Sequence, residues 1–169
     1  MPFLYSKKKY LNLSLSNFKK NIILIPGASF ASKQYPVKNF AEVTHLLDAN
    51  YLIIWGNDKE RMLADKIKDI APHVNICEKL SIEGLISLIS QVDLIIGPDT
   101  GPTHIGWALN VPSITLFGPT PGYRNTLVTA NNKIIESESD VNPYRIDKND
   151  YSISSINPTQ VVEIAKSLL

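Results

Sequence analysis

Residues 94–104 read Leu94-Ile95-Ile96-Gly97-Pro98-Asp99-Thr100-Gly101-Pro102-Thr103-His104, a short apolar run followed by a turn rich in glycine and proline. Its first three residues are branched and apolar, which is typical of a strand buried on both faces of a parallel sheet. Thr100 is a preferred residue type for capping a helix, and Gly101 leaves room for a ligand to approach the backbone. The N–H groups and the dipole at a helix start favour an anion. The stretch therefore predicts a strand, a turn suited to a diphosphate and a helix.

Four more apolar runs alternate with segments of helical period. These runs are residues 22–25, 51–55, 74–76 and 113–117. Ser81 and Asn157 are placed to cap later helices, and Pro158 suits a first helical position. The helical stripes expected to face the sheet are Phe40, Val43, Leu46 and Leu47, then Met62, Leu63, Lys66 by its apolar stem, Ile67 and Ile70, then Ile82, Leu85, Ile86 and Ile89. The alternation predicts an α/β fold, a Rossmann-like parallel sheet with helices on both faces.

The chain divides into a basic arm, residues 1–20, and one domain, residues 21–169. The arm carries no acid and has lysines at positions 7, 8, 9, 19 and 20. Such an arm is either a solvated linker or a contact with anionic membrane head groups. Residues 120–156 are less regular and predict a long surface crossover, with strands near 126–129 and 133–135.

Composition narrows the classes of function. The net charge is only +1 and no nucleic-acid motif is present, so we expect no DNA or RNA partner. The single cysteine, Cys77, rules out an internal disulfide and fits a reducing cytosol. No apolar run approaches the roughly twenty residues of a spanning helix, so the expected location is cytoplasmic.

The loops that follow the strands carry the candidate chemistry, because ligands of such sheets lie at the carboxyl ends of the strands. The loop 26–36 has small residues, hydroxyls and Lys33, but no Walker or Gly-x-Gly-x-x-Gly pattern, which disfavours P-loop nucleotidases and dinucleotide dehydrogenases. A loop lysine taken alone is typically a surface residue. Asp99 either accepts sugar hydroxyls or caps a helix, and Glu60 either binds a ribose diol or is an ordinary helix-start acid. His104 alone is more typical of a structural residue than of a catalyst.

Together these segments resemble glycosyltransferase family 9, the ADP-heptose:lipopolysaccharide heptosyltransferases, closest to the heptosyltransferase I type. The resemblance covers residues 21 to about 122 and the last helix. Its most specific part is Asp99-Thr100-Gly101 with His104, followed by Ala108-Leu109, Pro112 and residues 117–120. Further signposts are Lys33 with Tyr35-Pro36, Trp55-Gly56 with Glu60, and Leu80-Ser81 with Glu83-Gly84.

This resemblance implies a GT-B enzyme of which the chain is the C-terminal, donor-binding domain, without its N-terminal acceptor domain. The reaction would be an inverting transfer of heptose from ADP-heptose to the lipopolysaccharide inner core, on the Kdo–lipid A side, without a metal or other cofactor. Peripheral association with the cytoplasmic face of the inner membrane would fit that acceptor. The implied catalytic residues are Lys33, at the phosphates, and Asp99, at the heptose. The implied donor-binding residues are Ser29 for phosphate, Glu60 for ribose, Leu80 near adenine, Thr100 and Gly101 for the diphosphate, and His104.

Departures from the family leave two alternatives open. Ala28-Ser29 stands where relatives often have two hydroxyl residues, and the segment from Pro121 to 156 matches the family poorly. One alternative is a donor domain for another nucleotide sugar. The other is a non-catalytic flavodoxin-like or receiver-like module, although a receiver expects acids where Pro26-Gly27 stands and an aspartate where Cys77 stands.

Overall fold

A computed structural model describes residues 14–169 except 127, 140 and 143. Its centre is a six-stranded, wholly parallel sheet of order β3-β2-β1-β4-β5-β6. The strands are β1 (Asn21–Leu24), β2 (Asn50–Ile53), β3 (Asn75–Ile76), β4 (Leu94–Pro98), β5 (Ser113–Phe117) and β6 (Asn132–Glu136). The five predicted strand runs are confirmed, with bounds that shift by one or two residues. The order reverses between β1 and β4, the position where such sheets bind their ligands.

Helices cover both faces of the sheet, as predicted. They are α1 (Val37–Leu46), α2 (Asp58–Ile70), α3 (Ile82–Ile89), α4 (Gly101–Ala108), α5 (Gly122–Asn125) and α6 (Pro158–Leu168). Alternate residues of β1 show the two layers: Ile22 and Leu24 join a buried cluster with α1, α2 and α6, whereas Ile23 joins a second cluster with α3. Because a strand presents successive side chains to opposite faces, this division gives the domain its two apolar layers.

The predicted helical stripes are wrong in part. In α2 the predicted Ile67 is buried, but the side chains of Met62 and Ile70 are 59% and 50% exposed, and the helix packs through Ala64 as well as Ile67. Leu46 of α1 and Ile82 of α3, also predicted to face the sheet, are 45% and 66% exposed. Because Ala64 is small, α2 can approach its neighbours closely there, and the buried face of the helix is centred on Ala64 and Ile67.

Two of the predicted helix caps are confirmed and one is wrong. Ser81 Oγ accepts a hydrogen bond from Gly84 N at 3.2 Å, and Asn157 Oδ1 accepts one from Thr159 N at 2.9 Å. Thr100 occupies the N-cap position of α4, but its side chain makes no capping bond. The start of α4 therefore keeps backbone donors that no threonine oxygen occupies, which matters for the site described below.

The crossover from residue 120 to 156, predicted to lie on the surface, is partly buried in the core. Its second expected strand is confirmed as β6, which pairs with β5, but no strand forms over the described part of residues 126–129. Ile153 and Ile156 are buried in the core. A hydrogen bond from Tyr35 Oη to the Ile156 carbonyl, 2.8 Å long, fastens this segment to the loop after β1. A second hydrogen bond runs from Asn39 Nδ2 to the Ser154 carbonyl, at 3.4 Å. We call these two hydrogen bonds, from Tyr35 and Asn39, the clasp.

The described part of the arm, residues 14–20, is attached to the amino edge of the sheet. Lys19 pairs with Asp48 and Lys20 with Asp93. The charges of these two lysines are therefore balanced by carboxylates of the domain. The other basic residues of the arm, Lys7 to Lys9, lie outside the described residues. Within residues 14–169, apart from the three positions omitted above, no helix has the length and apolarity needed to cross a membrane.

Candidate donor-binding site

An open cleft of about 500 Å³ lies at the carboxyl edge of the sheet, at the reversal between β1 and β4. Loops after β1, β2 and β4 supply its walls, because parallel strands all end on this edge. The cleft brings together seven of the eight residues predicted for the site: Ser29, Lys33, Glu60, Asp99, Thr100, Gly101 and His104. Residues far apart in the chain are thus assembled as predicted, while their individual roles remain predictions.

An ion pair between Lys33 and Asp99 crosses the cleft floor. Lys33 Nζ donates to Asp99 Oδ2 at 3.0 Å and to the Asp99 backbone carbonyl at 2.9 Å. The two side chains are only 9% and 10% exposed. The expectation for a loop lysine taken alone, a surface position, is therefore wrong here. Lys33 ends a short 3₁₀ turn, Ala31–Lys33, which directs the ammonium inward toward the carboxylate of β4's loop. A buried ammonium is tolerated because a carboxylate and a carbonyl compensate its lost hydration.

The same carboxylate also meets His104 on the first turns of α4. His104 Nε2 lies 2.9 Å from Asp99 Oδ1, and the imidazole ring stacks on Trp107 with 4.4 Å between ring centroids. His104 is half exposed, so one side of its ring faces the open cleft. Sequence reasoning missed Trp107; its signal was the spacing of three residues, which places two side chains on one helix face. The stack fixes the imidazole in reach of both Asp99 and an incoming ligand.

The start of α4 is open to solvent at its first helical residue. A Cβ built on Gly101 would meet no atom of the other described residues within 4 Å, apart from its chain neighbours and the backbone of its own helix. Just inside, Thr103 Oγ1 donates to the Pro98 carbonyl at 2.9 Å and is fully buried, so it secures the turn from β4 into α4. Sequence reasoning missed this role of Thr103. N–H groups at a helix N-terminus that the N-cap side chain leaves unoccupied, beside open space and a lysine, are suited to an anion.

Glu60 connects the second loop to the first. Its carboxylate accepts hydrogen bonds from Gly56 N at 2.7 Å and from Asn57 Nδ2 at 2.8 Å, while Asn57 Oδ1 accepts from Glu60 N at 3.1 Å. This reciprocal pair of hydrogen bonds shows that Glu60 acts as a helix-start acid, one of the two roles expected for it from the sequence. Glu60 also lines the cleft, and a Cβ on Gly27 would lie 2.5 Å from its side chain, so the glycine makes room for the carboxylate. The ribose role stays a prediction.

Leu80 is the one predicted site residue that does not line the cleft. It packs against the apolar cluster on the α3 side of the sheet, near Cys77. Its neighbour in sequence, Lys79, places Nζ 5.9 Å from the ring centre of Trp55, whose Nε1 donates to the Cys77 carbonyl at 2.8 Å. Leu80 therefore lies at the β2–β3 side of the carboxyl edge, outside the walls of the cleft. The adenine contact stays a prediction.

Metal ligands do not gather at this site. Over the described ranges, 14–169 with three gaps, no group of three or more His, Cys, Asp or Glu side chains is placed to hold a metal ion. Two side chains that line the cleft can carry positive charge beside Asp99: Lys33 and, when protonated, His104. Metal independence remains a prediction.

Comparison with known proteins identifies the family. The model of glycosyltransferase family 9 (heptosyltransferase) matches residues 4–151, most of the chain. This chain belongs to glycosyltransferase family 9. Among family 9 relatives, the lipopolysaccharide heptosyltransferase 1 of Campylobacter coli is 37% identical over 166 residues, which cover 92% of this chain and 48% of that protein. The chain thus spans about half the length of this curated relative.

Solved family 9 structures share the fold. The family 9 glycosyl transferase of Veillonella parvula superposes with a TM-score of 0.78 at 20% identity, over 92% of this chain and 47% of that one. The E. coli heptosyltransferase WaaC with ADP-2-deoxy-2-fluoro heptose gives a TM-score of 0.71 at 20% identity, over 90% of this chain and 45% of that one. These likenesses confirm the predicted fold class, a Rossmann-like domain of GT-B heptosyltransferases.

Proposed function

We propose that this chain is the C-terminal, donor-binding half of an inverting heptosyltransferase that uses ADP-heptose and acts on the lipopolysaccharide inner core. The observation that carries the proposal is the Lys33–Asp99 pair beside the open start of α4. There an ammonium group and backbone N–H donors face the same small space. Family membership and the Campylobacter coli relative support the reaction class. The E. coli heptosyltransferase WaaC, solved with ADP-2-deoxy-2-fluoro heptose, supports the choice of donor.

The diphosphate would bind between Lys33, Ser29 and the first turn of α4. Negative charge develops on the leaving ADP as the bond to the anomeric carbon breaks, and donors fixed in advance stabilise such charge without reorganising. Gly101 and Thr100 would offer backbone N–H groups, and Lys33 would offer its ammonium. These groups would supply that stabilisation without a metal ion.

The remaining donor contacts follow the geometry of the cleft. Asp99 would accept hydrogen bonds from heptose hydroxyls, with His104 alongside, and the Glu60 carboxylate would accept from the ribose diol. Adenine would extend toward Leu80 at the β2–β3 side. Because Glu60 already accepts two protein donors, the ribose would use its remaining lone pairs.

The acceptor and the base that activates its hydroxyl would belong to an N-terminal domain. His104 faces the diphosphate end of the cleft, where a proton donor serves the departing ADP better than a base would. The lipopolysaccharide core is then the second partner, and the protein would work at the cytoplasmic face of the inner membrane. The arm lysines 7–9 would add to membrane contact.

Calorimetric titration with ADP, UDP, GDP and flavin mononucleotide tests the proposal. We expect ADP to bind most tightly, and Lys33→Ala to weaken ADP binding. Lys38→Ala is the matched control, because this lysine is exposed on α1 and outside the cleft. Equal affinities for ADP, UDP and GDP would refute the adenine assignment, and preference for flavin would favour a flavodoxin-like module.

A second experiment addresses transfer. The chain alone should release no ADP from ADP-heptose in the presence of a lipid A–Kdo acceptor. Release should require the N-terminal half of a family member, such as that of the Campylobacter coli heptosyltransferase 1, added separately. Acceptor-dependent turnover by the isolated chain would place the base within this half and refute its role as a donor domain alone.

A further inference from the structure

The Asp99 carboxylate occupies two groups that a nucleotide diphosphate would use. An ammonium has three N–H donors, and Lys33 gives two of them to Asp99, one to Oδ2 and one to the backbone carbonyl. The second carboxylate oxygen holds His104 Nε2 at 2.9 Å. Lys33 and His104 are thus already engaged in part by Asp99, whose carboxylate carries a negative charge.

This arrangement opposes the binding of a nucleotide that carries no sugar. Lys33 and Asp99 are each about nine-tenths buried, so solvent screens the carboxylate poorly, and the pair has no net charge. A diphosphate that approaches Lys33 also approaches Asp99. The start of α4 attracts the phosphates, whereas the nearby carboxylate repels them and competes for the lysine donors.

A sugar on the nucleotide changes that balance. Hydroxyl groups donate to a carboxylate, so a hydroxyl-bearing sugar beside Asp99 replaces the hydrogen bonds that Lys33 gives up to the phosphates. The donor can satisfy both members of the pair at once. The sugar-free nucleotide can bind Lys33 through its phosphates, but it has no sugar hydroxyls to replace the hydrogen bonds that Asp99 loses.

We propose that Asp99 is the specificity-determining residue that makes the cleft bind the sugar-bearing donor more tightly than the free nucleoside diphosphate, by competing with the diphosphate for Lys33. The inference rests on the proposed function and extends it to product release. The carboxylate that orients the sugar also expels the leaving nucleotide once the sugar has gone.

Asp99→Asn tests the inference because it removes the charge and keeps the shape. The amide oxygen of the variant still accepts from Lys33, so the lysine keeps its position. We expect the variant to bind ADP at least about tenfold more tightly in calorimetry at low salt, which is about 1.4 kcal/mol. Adenosine, which has no phosphate, should bind the two proteins alike. ADP-heptose should lose its advantage over ADP in the variant.

Asp48→Asn is the matched control. Asp48 also pairs with a lysine, Lys19, but on the amino edge of the sheet, so it reports the effect of net charge alone. ADP affinity should be unchanged in this variant. An equal gain in both variants would overturn the inference, and so would an unchanged or weaker ADP affinity in Asp99→Asn.

Two further readouts separate this inference from the proposed function. If ADP binds neither the unmodified chain nor Asp99→Asn, both fail; if ADP binds the unmodified chain and the variant shows no gain, only the inference fails. Thermal unfolding checks that the variant is folded. If Asp99→Asn is not folded, the test is made on the unmodified chain by comparing its affinities for ADP-heptose and ADP. Tighter binding of ADP-heptose than of ADP supports the inference, and equal binding overturns it.

Discussion

Gly101→Ala should move stability and ligand affinity in opposite directions. Gly101 is the first residue of α4, its φ is not positive, and a Cβ there has open space among the described residues beyond its own helix. The methyl group therefore fits the unliganded protein and reduces the freedom of the unfolded chain, which stabilises by about 0.4 to 1 kcal/mol. In a chain of this length that raises the thermal midpoint by roughly 1 to 4 °C.

The same methyl group lies where the diphosphate is proposed to reach the backbone. Loss of one hydrogen bond to a charged group costs about 1.5 to 3 kcal/mol, so ADP affinity should fall roughly ten- to 150-fold. Differential scanning fluorimetry and calorimetry measure the two effects on one preparation. Gly118→Ala is the control, since its Cβ would lie 2.7 Å from Ile153 Cβ and 2.9 Å from Ile153 N, and it should lower the midpoint. Unchanged ADP affinity in a stabilised Gly101→Ala would show that the diphosphate does not approach this glycine.

Three other perturbations follow from the structure. Lys33→Ala should lower ADP affinity by about 1.5 to 3 kcal/mol and also destabilise the unliganded chain, because Asp99 loses its ammonium partner; an unchanged melting temperature would show that the pair does not form. Tyr35→Phe should cost about 0.5 to 1.5 kcal/mol in urea unfolding through the lost bond to Ile156, and no loss would refute the clasp. Burial raises the pKa of the Cys77 thiol to about 11, so at pH 8 it should react with Ellman's reagent only on unfolding; fast reaction of the folded chain would contradict this.

The strands could be predicted because most of their residues are apolar and many are β-branched or aromatic. Runs such as 22–25 and 113–117 indicate burial on both faces, and the helices between them force parallel pairing. The packing face of α2 could not be predicted in the same way. It is centred on Ala64, whose small side chain gives a weak hydrophobic signal, so the periodicity of larger residues pointed to Met62 and Ile70.

The site could be predicted as a set of loops but not as a network of contacts. Each of Ser29, Glu60 and Gly101 follows a strand, and the topology brings such residues to one edge. The burial of Lys33 could not be read locally, since its partner Asp99 lies 66 residues further along the chain. Leu80 was placed by resemblance alone, and its packing depends on how the short strand β3 ends.

The clasp has a consequence for biosynthesis. Tyr35 and Ile156 are 121 residues apart, and strands β2 to β6 are translated between them. At about 5 to 20 residues per second, the ribosome needs roughly 6 to 24 s to make that interval. For all of that time the nascent loop that bears Lys33 lacks the carbonyl that fastens it. The hydrogen bond from Tyr35 to Ile156 therefore forms only after all six strands have been translated, so it can fasten the loop after β1 but cannot guide the strands as they leave the ribosome.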